Sequence, residues 1–218
     1  MPRYTMTWDV NIVLSFLKLL SPAKCLSLEQ LSYKTAALLL LLSSQRGQTI
    51  LSFQSDNIVF TKNSIIFKID SLLKTTRPGH HIKTVSFKAF PADRRLCVVT
   101  YVKAYLARTA PLRQDKSNAQ LLISFRKPHR PIGRDTLARW TRRVMQQAGV
   151  DTTQFKPHST RAASASAAAR FVPLQTILDA GGWSKASTFS KFYHKNTQHP
   201  ALSLNQGVLA ATKATSSK

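Results

Sequence analysis

Acidic side chains are scarce. The 218 residues hold nine Asp and Glu, and no two of them lie closer than 14 positions apart. Nucleases and polymerases that work through paired magnesium ions need several carboxylates converging on the metals, so a two-metal mechanism is not expected. Cysteine is nearly absent too. Cys25 and Cys97 stand alone with no Cys-x-x-Cys spacing, which argues against zinc ribbons and disulfide scaffolds and fits a reducing intracellular compartment. The longest unbroken apolar run, Ala36 to Leu42, falls far short of the ~20 residues that cross a bilayer. The N-terminus lacks the basic block, apolar block and small-residue cleavage site of a secretory signal. No membrane partner is expected.

What the chain has in excess is positive charge. It carries 32 Lys and Arg, for a formal charge of +23, on a sequence that is 43% apolar. That is too hydrophobic for a disordered basic tail, and the length suits one catalytic-sized domain with a real core. So large a surplus repels itself unless a polyanion shares the field. Nucleic acid is the expected partner; an anionic membrane surface, the second class such a charge could meet, is not.

Residues 7–20 place Trp8, Ile12, Val13, Phe16, Leu17 and Leu20 at helical spacing, and Ser21-Pro22 ends that run. Ser27 with Gln30 forms a capping-box pattern, opening a helix that runs through the leucine block to about Ser43–Gly47 and is apolar all round. Three short β-like runs follow at 57–60, 64–69 and 81–87, with a basic turn through Lys74, Arg77 and Pro78-Gly79 between the last two. Helical patterns return at 93–108, 134–147, 158–171, 173–180 and 184–194, with Gly149 as a C-cap and a short strand expected at 121–125. The expected fold is mainly α with a small antiparallel β-sheet.

The densest chemical signal is Lys156-Pro157-His158-Ser159-Thr160-Arg161. His158 and Arg161 are three apart at a helix start, so they share a face beside the positive end of the helix dipole, which suits a phosphate. Taken alone, the pattern is also that of a surface His and Arg on a basic protein. Arg46 stands where the leucine-rich helix breaks, and a buried guanidinium there wants an anion; a structural ion pair is the plainer alternative, though acids are few. Gly181-Gly182-Trp183 precedes Tyr193 by a short helix, and both aromatics are equally consistent with core packing.

In order, Arg46, Lys74, His158-x-x-Arg161, Gly-Gly-Trp183 and Tyr193 resemble the signature of the tyrosine recombinases. The resemblance spans roughly Leu31 to Lys195, and the wording from His158 to Tyr193 is most similar to eukaryotic mobile-element members, the DIRS-like and Crypton recombinases. It implies that fold, and double-stranded DNA as substrate. It also implies strand cleavage and rejoining through a covalent 3′-phosphotyrosine, with no metal, ATP or other cofactor. Tyr193 would be the nucleophile, Arg46 and Arg161 would hold the phosphate oxygens, and Lys74 would protonate the leaving oxygen. His158 would support the phosphate and could move the tyrosine proton. Trp183 stands where many relatives have His; its indole N–H can donate one hydrogen bond but cannot shuttle a proton. Self-association into a synaptic tetramer on DNA would follow, and in a eukaryotic host a nuclear location.

Three departures accompany the resemblance. Thr49 stands where many members have an acid, the Trp183-to-Tyr193 spacing is one residue longer than in bacterial and phage members, and Lys62, Lys83 or Arg77 could replace Lys74 if the hairpin is misplaced. Further DNA contacts are expected from Arg77, Lys83, Arg139, Arg142, Arg143 and Lys156, to the DNA backbone rather than to base edges. The expected layout is a catalytic domain over 1–199, its core at about 27–195, then a tail over 200–218. Within that tail, Val208 to Ala214 could pack on a neighbouring protomer or stay disordered. About 30 residues precede the leucine-rich helix, too few for the N-terminal clamp common in the family. Two other functions fit the same features: a type IB-like topoisomerase, and an inactive basic DNA-binding module.

Overall fold

The computed structural model describes residues 6–73, 76, 81–113, 119–193 and 196–197. It is mainly helical with one small antiparallel sheet, as the patterning predicts. The short strand β1 (Met6–Thr7) leads into α1 (Val10–Leu19), which Asp9 caps by accepting a hydrogen bond from the Asn11 amide. α1 buries Val13 and Leu17.

The central helix α2 (Leu28–Ser43) begins at the expected capping box. Ser27 Oγ accepts from the Gln30 amide at 3.1 Å, and Gln30 Oε1 accepts from the Ser27 amide at 3.0 Å. Leu31 and Leu38 to Leu41 are buried, with Leu31, Leu38 and Leu39 fully enclosed, but Leu42 at the end of the block is 46% exposed, so the helix is not buried all round as its apolar run suggests. Lys34 is also fully buried. Its ammonium donates to the carbonyls of Leu17 (2.7 Å) and Leu20 (2.6 Å) at the end of α1, and lies 3.7 Å from the Tyr101 ring centroid. Such carbonyls have no partner inside their own helix, so the lysine caps α1 from a neighbouring element. Ser44 takes a left-handed conformation (φ 53°) and ends α2, and the chain re-enters a helix as α3 (Gly47–Leu51).

The sheet has the order β2 (Ile58–Phe60), β3 (Ser64–Lys68), β4 (Thr84–Lys88), all antiparallel. Ile65 pairs with Phe87 and Phe67 with Val85, and these four alternate residues form the buried face. Phe53 stacks on Phe67 with centroids 4.1 Å apart. β3 and β4 pair antiparallel as expected, and Lys74, Arg77 and Pro78-Gly79 of the basic turn expected between them lie outside the described residues.

α4 (Val98–Thr109) begins five residues later than its hydrophobic rhythm suggests. Pro91 starts a 3-10 turn over Pro91–Leu96, and Asp93 within it has non-helical angles. The strand expected at 121–125 reduces to one isolated bridge, Ile123 with Pro131, with a second, Gln54 with Gln120, just ahead of it. Side chains take the backbone groups a ladder would use: Tyr105 Oη pairs with both the amide and the carbonyl of Ile123, and Arg113 donates to the carbonyls of Gln120 and Leu121.

α5 (Arg134–Gln147) has its predicted bounds, with Gly149 at φ 93° just beyond. The helix expected from His158 is instead a 3-10 turn, Pro157–Ser159, continuing into α6 (Thr160–Ala168). α7 (Leu174–Gly181) and α8 (Ala186–Phe192) complete the bundle. Unforeseen was β5 (Asn196–Thr197), which pairs in parallel with β1 and ties the chain just past Tyr193 to its start. The 200–218 tail lies outside the described residues. Among those described, no helix is long and apolar enough to cross a membrane.

Candidate active site

A cleft of about 400 Å³ opens where the end of α2, the start of α3, one face of α5 and the start of α6 meet. Arg46, His158, Arg161 and Tyr193 all line it. Residues separated by more than a hundred positions in sequence thus share one cavity.

Arg46 is half-buried at the N-cap of α3, and the left-handed turn at Ser44 aims the chain there. Two serines stitch this break to α6. Ser44 Oγ and Ser164 Oγ are 2.8 Å apart, and Ser164 Oγ donates to the Leu41 carbonyl. Helix α6 has so many small residues (Thr-Arg-Ala-Ala-Ser-Ala-Ser-Ala-Ala) that its backbone can lie close to α2.

Arg161, in the first turn of α6, is only 5% exposed. Its Nη2 donates to the Gly181 carbonyl at 2.6 Å, and its guanidinium lies 3.9 Å from the Trp183 ring centroid and 5.0 Å from that of Tyr193. Nε and Nη1 are buried with no hydrogen-bond partner among the described residues. No carboxylate among the described residues pairs with the guanidinium. The ion pairs among the described residues, Lys18 (3.2 Å) and Arg95 (2.9 Å), both engage Asp93. Burial pushes the guanidinium down from its usual range to about 9; the charge of Arg46 adds to this and Tyr193 opposes it. A buried cation lacking a counter-ion is costly, and an anion in the cleft would meet two ready donors.

Trp183 is buried behind Arg161 rather than in the cleft wall, and its own Nε1 has no partner among the described residues. With Phe189 at 5.2 Å and Tyr193 at 4.9 Å, it anchors a small second core containing Ala165, Ile177 and Leu178. The two glycines before it are needed for different reasons. A Cβ on Gly181 would sit 1.8 Å from the Trp183 ring, and Gly182 (φ 68°) would place one 2.4 Å from Ile82, at the base of the β3–β4 connection.

Tyr193 stands one residue past α8 with non-helical angles (φ −124°, ψ −27°), so the long Trp183-to-Tyr193 spacing is taken up by a chain that has already left the helix. Its amide donates to the Phe189 carbonyl at 2.8 Å, and its carbonyl accepts from Ser166 Oγ at 2.8 Å. Helix α6 therefore holds both Arg161 and, through Ser166, the backbone of Tyr193. His158 is exposed at the rim, in the 3-10 turn ahead of α6. Thr49 is buried within α3 and does not line the cleft; nothing in the structure explains the missing acid there.

Of the other predicted contacts, Arg77 lies outside the described residues and the rest lie outside the cleft lining. Arg139, Arg142 and Arg143 are exposed on α5, with Arg139 Nη2 donating to Thr136 Oγ1 at 3.0 Å. Lys83 is exposed just before β4. Lys156 Nζ donates to the Thr153 carbonyl at 3.0 Å, bracing its own turn. One cation escaped the sequence reading. Arg134 lines the cleft from the first position of α5, where the helix dipole disfavours positive charge, and that misplacement was the legible signal.

The family model described as the phage integrase family matches residues 14–199. No curated protein matches the chain. Among solved structures, XerH site-specific recombinase, in a post-cleavage complex with palindromic difH substrate, has a TM-score of 0.64 at 15% identity, covering 84% of this chain and 48% of that one. XerA recombinase gives 0.62 at 14%, covering 97% and 64%. The Tn1549 transposon integrase, in complex with transposon right-end DNA, gives 0.54 at 14%, covering 100% and 67%. The chain thus spans about half the length of XerH. At these identities the likeness establishes the fold.

Proposed function

Because the chain belongs to the phage integrase family, we propose that it cuts and rejoins double-stranded DNA through Tyr193, in site-specific recombination or integration of a mobile element. The observation that carries this reading is Arg161: a buried guanidinium with two nitrogens unpartnered among the described residues, in the same cleft as a tyrosine, a second arginine and a histidine. A tetrahedral phosphate with charged oxygens is the group such a cleft suits.

In the proposed reaction the Tyr193 phenol oxygen attacks the scissile phosphorus, forming a P–O bond while the bond to the 5′-oxygen breaks. The phenol gives up its proton, which His158 at the rim could accept. The departing 5′-oxygen takes a proton from Lys74, a role that rests on the resemblance alone. Arg161 and Arg46 meet the charge that builds on the non-bridging oxygens, the task metal ions perform elsewhere. The product is a 3′-phosphotyrosine and a free 5′-hydroxyl. Attack by a 5′-hydroxyl from another strand reverses the step and regenerates Tyr193. The ester energy is kept in the covalent link, so ligation needs no ATP. Exchange between two duplexes involves four strands and one tyrosine for each, which motivates a tetramer on DNA. The mobile-element subtype and a nuclear location rest on the wording from His158 to Tyr193.

The test is incubation with a nicked suicide duplex, from which the cut fragment diffuses away. Wild type should form a protein–DNA adduct that survives denaturation, with or without EDTA, and Tyr193→Phe should form none. Failure of wild type to form an adduct would refute the reading. Exchanged products from paired sites, beyond relaxation of a supercoiled plasmid, would separate a recombinase from a topoisomerase.

A further inference from the structure

The β3–β4 connection leaves the sheet at the Lys68–Thr84 pair, whereas Ser64 pairs with Lys88 at the opposite end, about 13 Å away at strand spacing. There, sharing no lining residue with the cleft, a groove of about 710 Å³ runs between the β2–β3 turn, the end of β4 and the start of α4. Lys62, Lys88, Arg94 and Lys103 line it, all exposed, and none forms an ion pair among the described residues. The acid on the adjoining turn, Asp93, is already engaged by Lys18 and Arg95. Two aromatic side chains stand beside these cations. Phe90 lines the groove and is 46% exposed, and Phe60, 39% exposed on the edge strand, has the Lys103 ammonium 5.2 Å from its ring centroid.

Cations alone fit any polyanion. Exposed aromatic faces at a groove of cations select further, because unpaired bases can stack on them while the bases of a duplex are already stacked on one another. The concave shape also disfavours a lipid surface, which a protruding apolar face would enter. We propose that this groove binds single-stranded nucleic acid. Lys62, Lys88, Arg94 and Lys103 track successive phosphates, and Phe90 and Phe60 stack bases. The site shares no residue with the cleft around Tyr193 and does not depend on the function proposed there.

The experiment measures fluorescence anisotropy of labelled dT20, rU20 and a 20-base-pair duplex on the full chain, across a salt series. The wild-type protein is compared with the quadruple variant Lys62→Ala/Lys88→Ala/Arg94→Ala/Lys103→Ala and with Phe90→Ala. At four lost phosphate contacts, the log–log salt slope for the single strands should fall in magnitude by about 3. Phe90→Ala should weaken single-strand binding about fivefold or more, with duplex affinity changed less than about twofold. Equal loss on dT20 and rU20 marks a strand site blind to the sugar; loss on one alone assigns the source. Unchanged duplex binding also shows that the variants remain folded. Photocrosslinking of 5-iodouracil oligonucleotides should label peptides within 59–63 or 88–103. Equal losses for duplex and single strand would overturn the proposal, as would binding of phosphatidylserine vesicles with no strand binding, or crosslinks confined to 134–193.

Discussion

Replacing Trp183 separates two roles that the side chain could have. By the resemblance it stands where many relatives have His and its indole N–H can donate one hydrogen bond, whereas the structure puts the ring behind Arg161, with Nε1 buried and unpartnered among the described residues. Trp183→Ala removes a buried ring, a loss of about 3–5 kcal/mol for such truncations, and a desolvated cation–π contact of about 2 kcal/mol. It also lets the Arg161 guanidinium drift, and a displacement of about 1 Å at a reacting group can cost ~100-fold in rate. Trp183→Phe keeps a ring under the guanidinium. It gives up some packing, but it removes a buried N–H that has no partner among the described residues and whose burial costs about 1–3 kcal/mol, so stability should change by no more than about 1 kcal/mol. Single-turnover cleavage of a suicide duplex, with urea denaturation of each variant, reads both quantities. Trp183→Phe should cleave within about fivefold of wild type and Trp183→Ala about 100-fold more slowly. If Trp183→Phe keeps its stability yet cleaves as poorly as Trp183→Ala, the indole N–H acts on the phosphate and the stacking argument fails.

Arg134→Ala should weaken duplex binding and lower the salt slope by about 0.9, while cleavage of fully bound DNA stays unchanged; a slower rate at saturation would put Arg134 on the reacting phosphate. For Lys34, burial pushes the ammonium from 10.5 down to about 7. Between those values the unfolded chain holds a proton that the folded chain does not, so wild-type stability from this group rises with pH across that window. Lys34→Met also strands the Leu17 and Leu20 carbonyls, so its destabilisation should be larger at pH 9 than at pH 6.5; a difference constant with pH in urea titrations would refute this. Gly182→Ala should cost about 1–3 kcal/mol from its left-handed angle and the clash with Ile82, and Ile82→Ala should recover part of it; a neutral Gly182→Ala would mean that the hairpin base does not rest there.

Much of the helical layout was legible because its signals are local. The Ser27–Gln30 capping box, the buried leucine block and the bounds of α5 follow from neighbours in sequence. The strand expected at 121–125 failed because its competitors are not local: Tyr105 and Arg113 reach in from α4 and the turn beyond it. Arg46, His158, Arg161 and Tyr193, which share the cleft, were legible as an ordered set of residue types, yet how each is packed there was not. That Arg161 is enclosed, that Trp183 sits behind it and that Ser166 holds the Tyr193 backbone all arise from α6 packing against α2 and α7, which no spacing encodes. Arg134 was passed over because arginines are common in this chain, and only the unfavourable helix position set it apart.

The central claim is that Tyr193 reacts at a phosphate held by Arg161 of its own chain, since both line one cleft and share helix α6 as support. Mixing Arg161→Ala with Tyr193→Phe on the suicide duplex tests this most directly. If the tyrosine acts within its own subunit, each variant lacks half of the site and the mixture should form no adduct beyond that of Arg161→Ala alone. A mixture that restores the adduct to a sizeable fraction of the wild-type yield would mean that the tyrosine serves a neighbouring subunit, and would contradict the account.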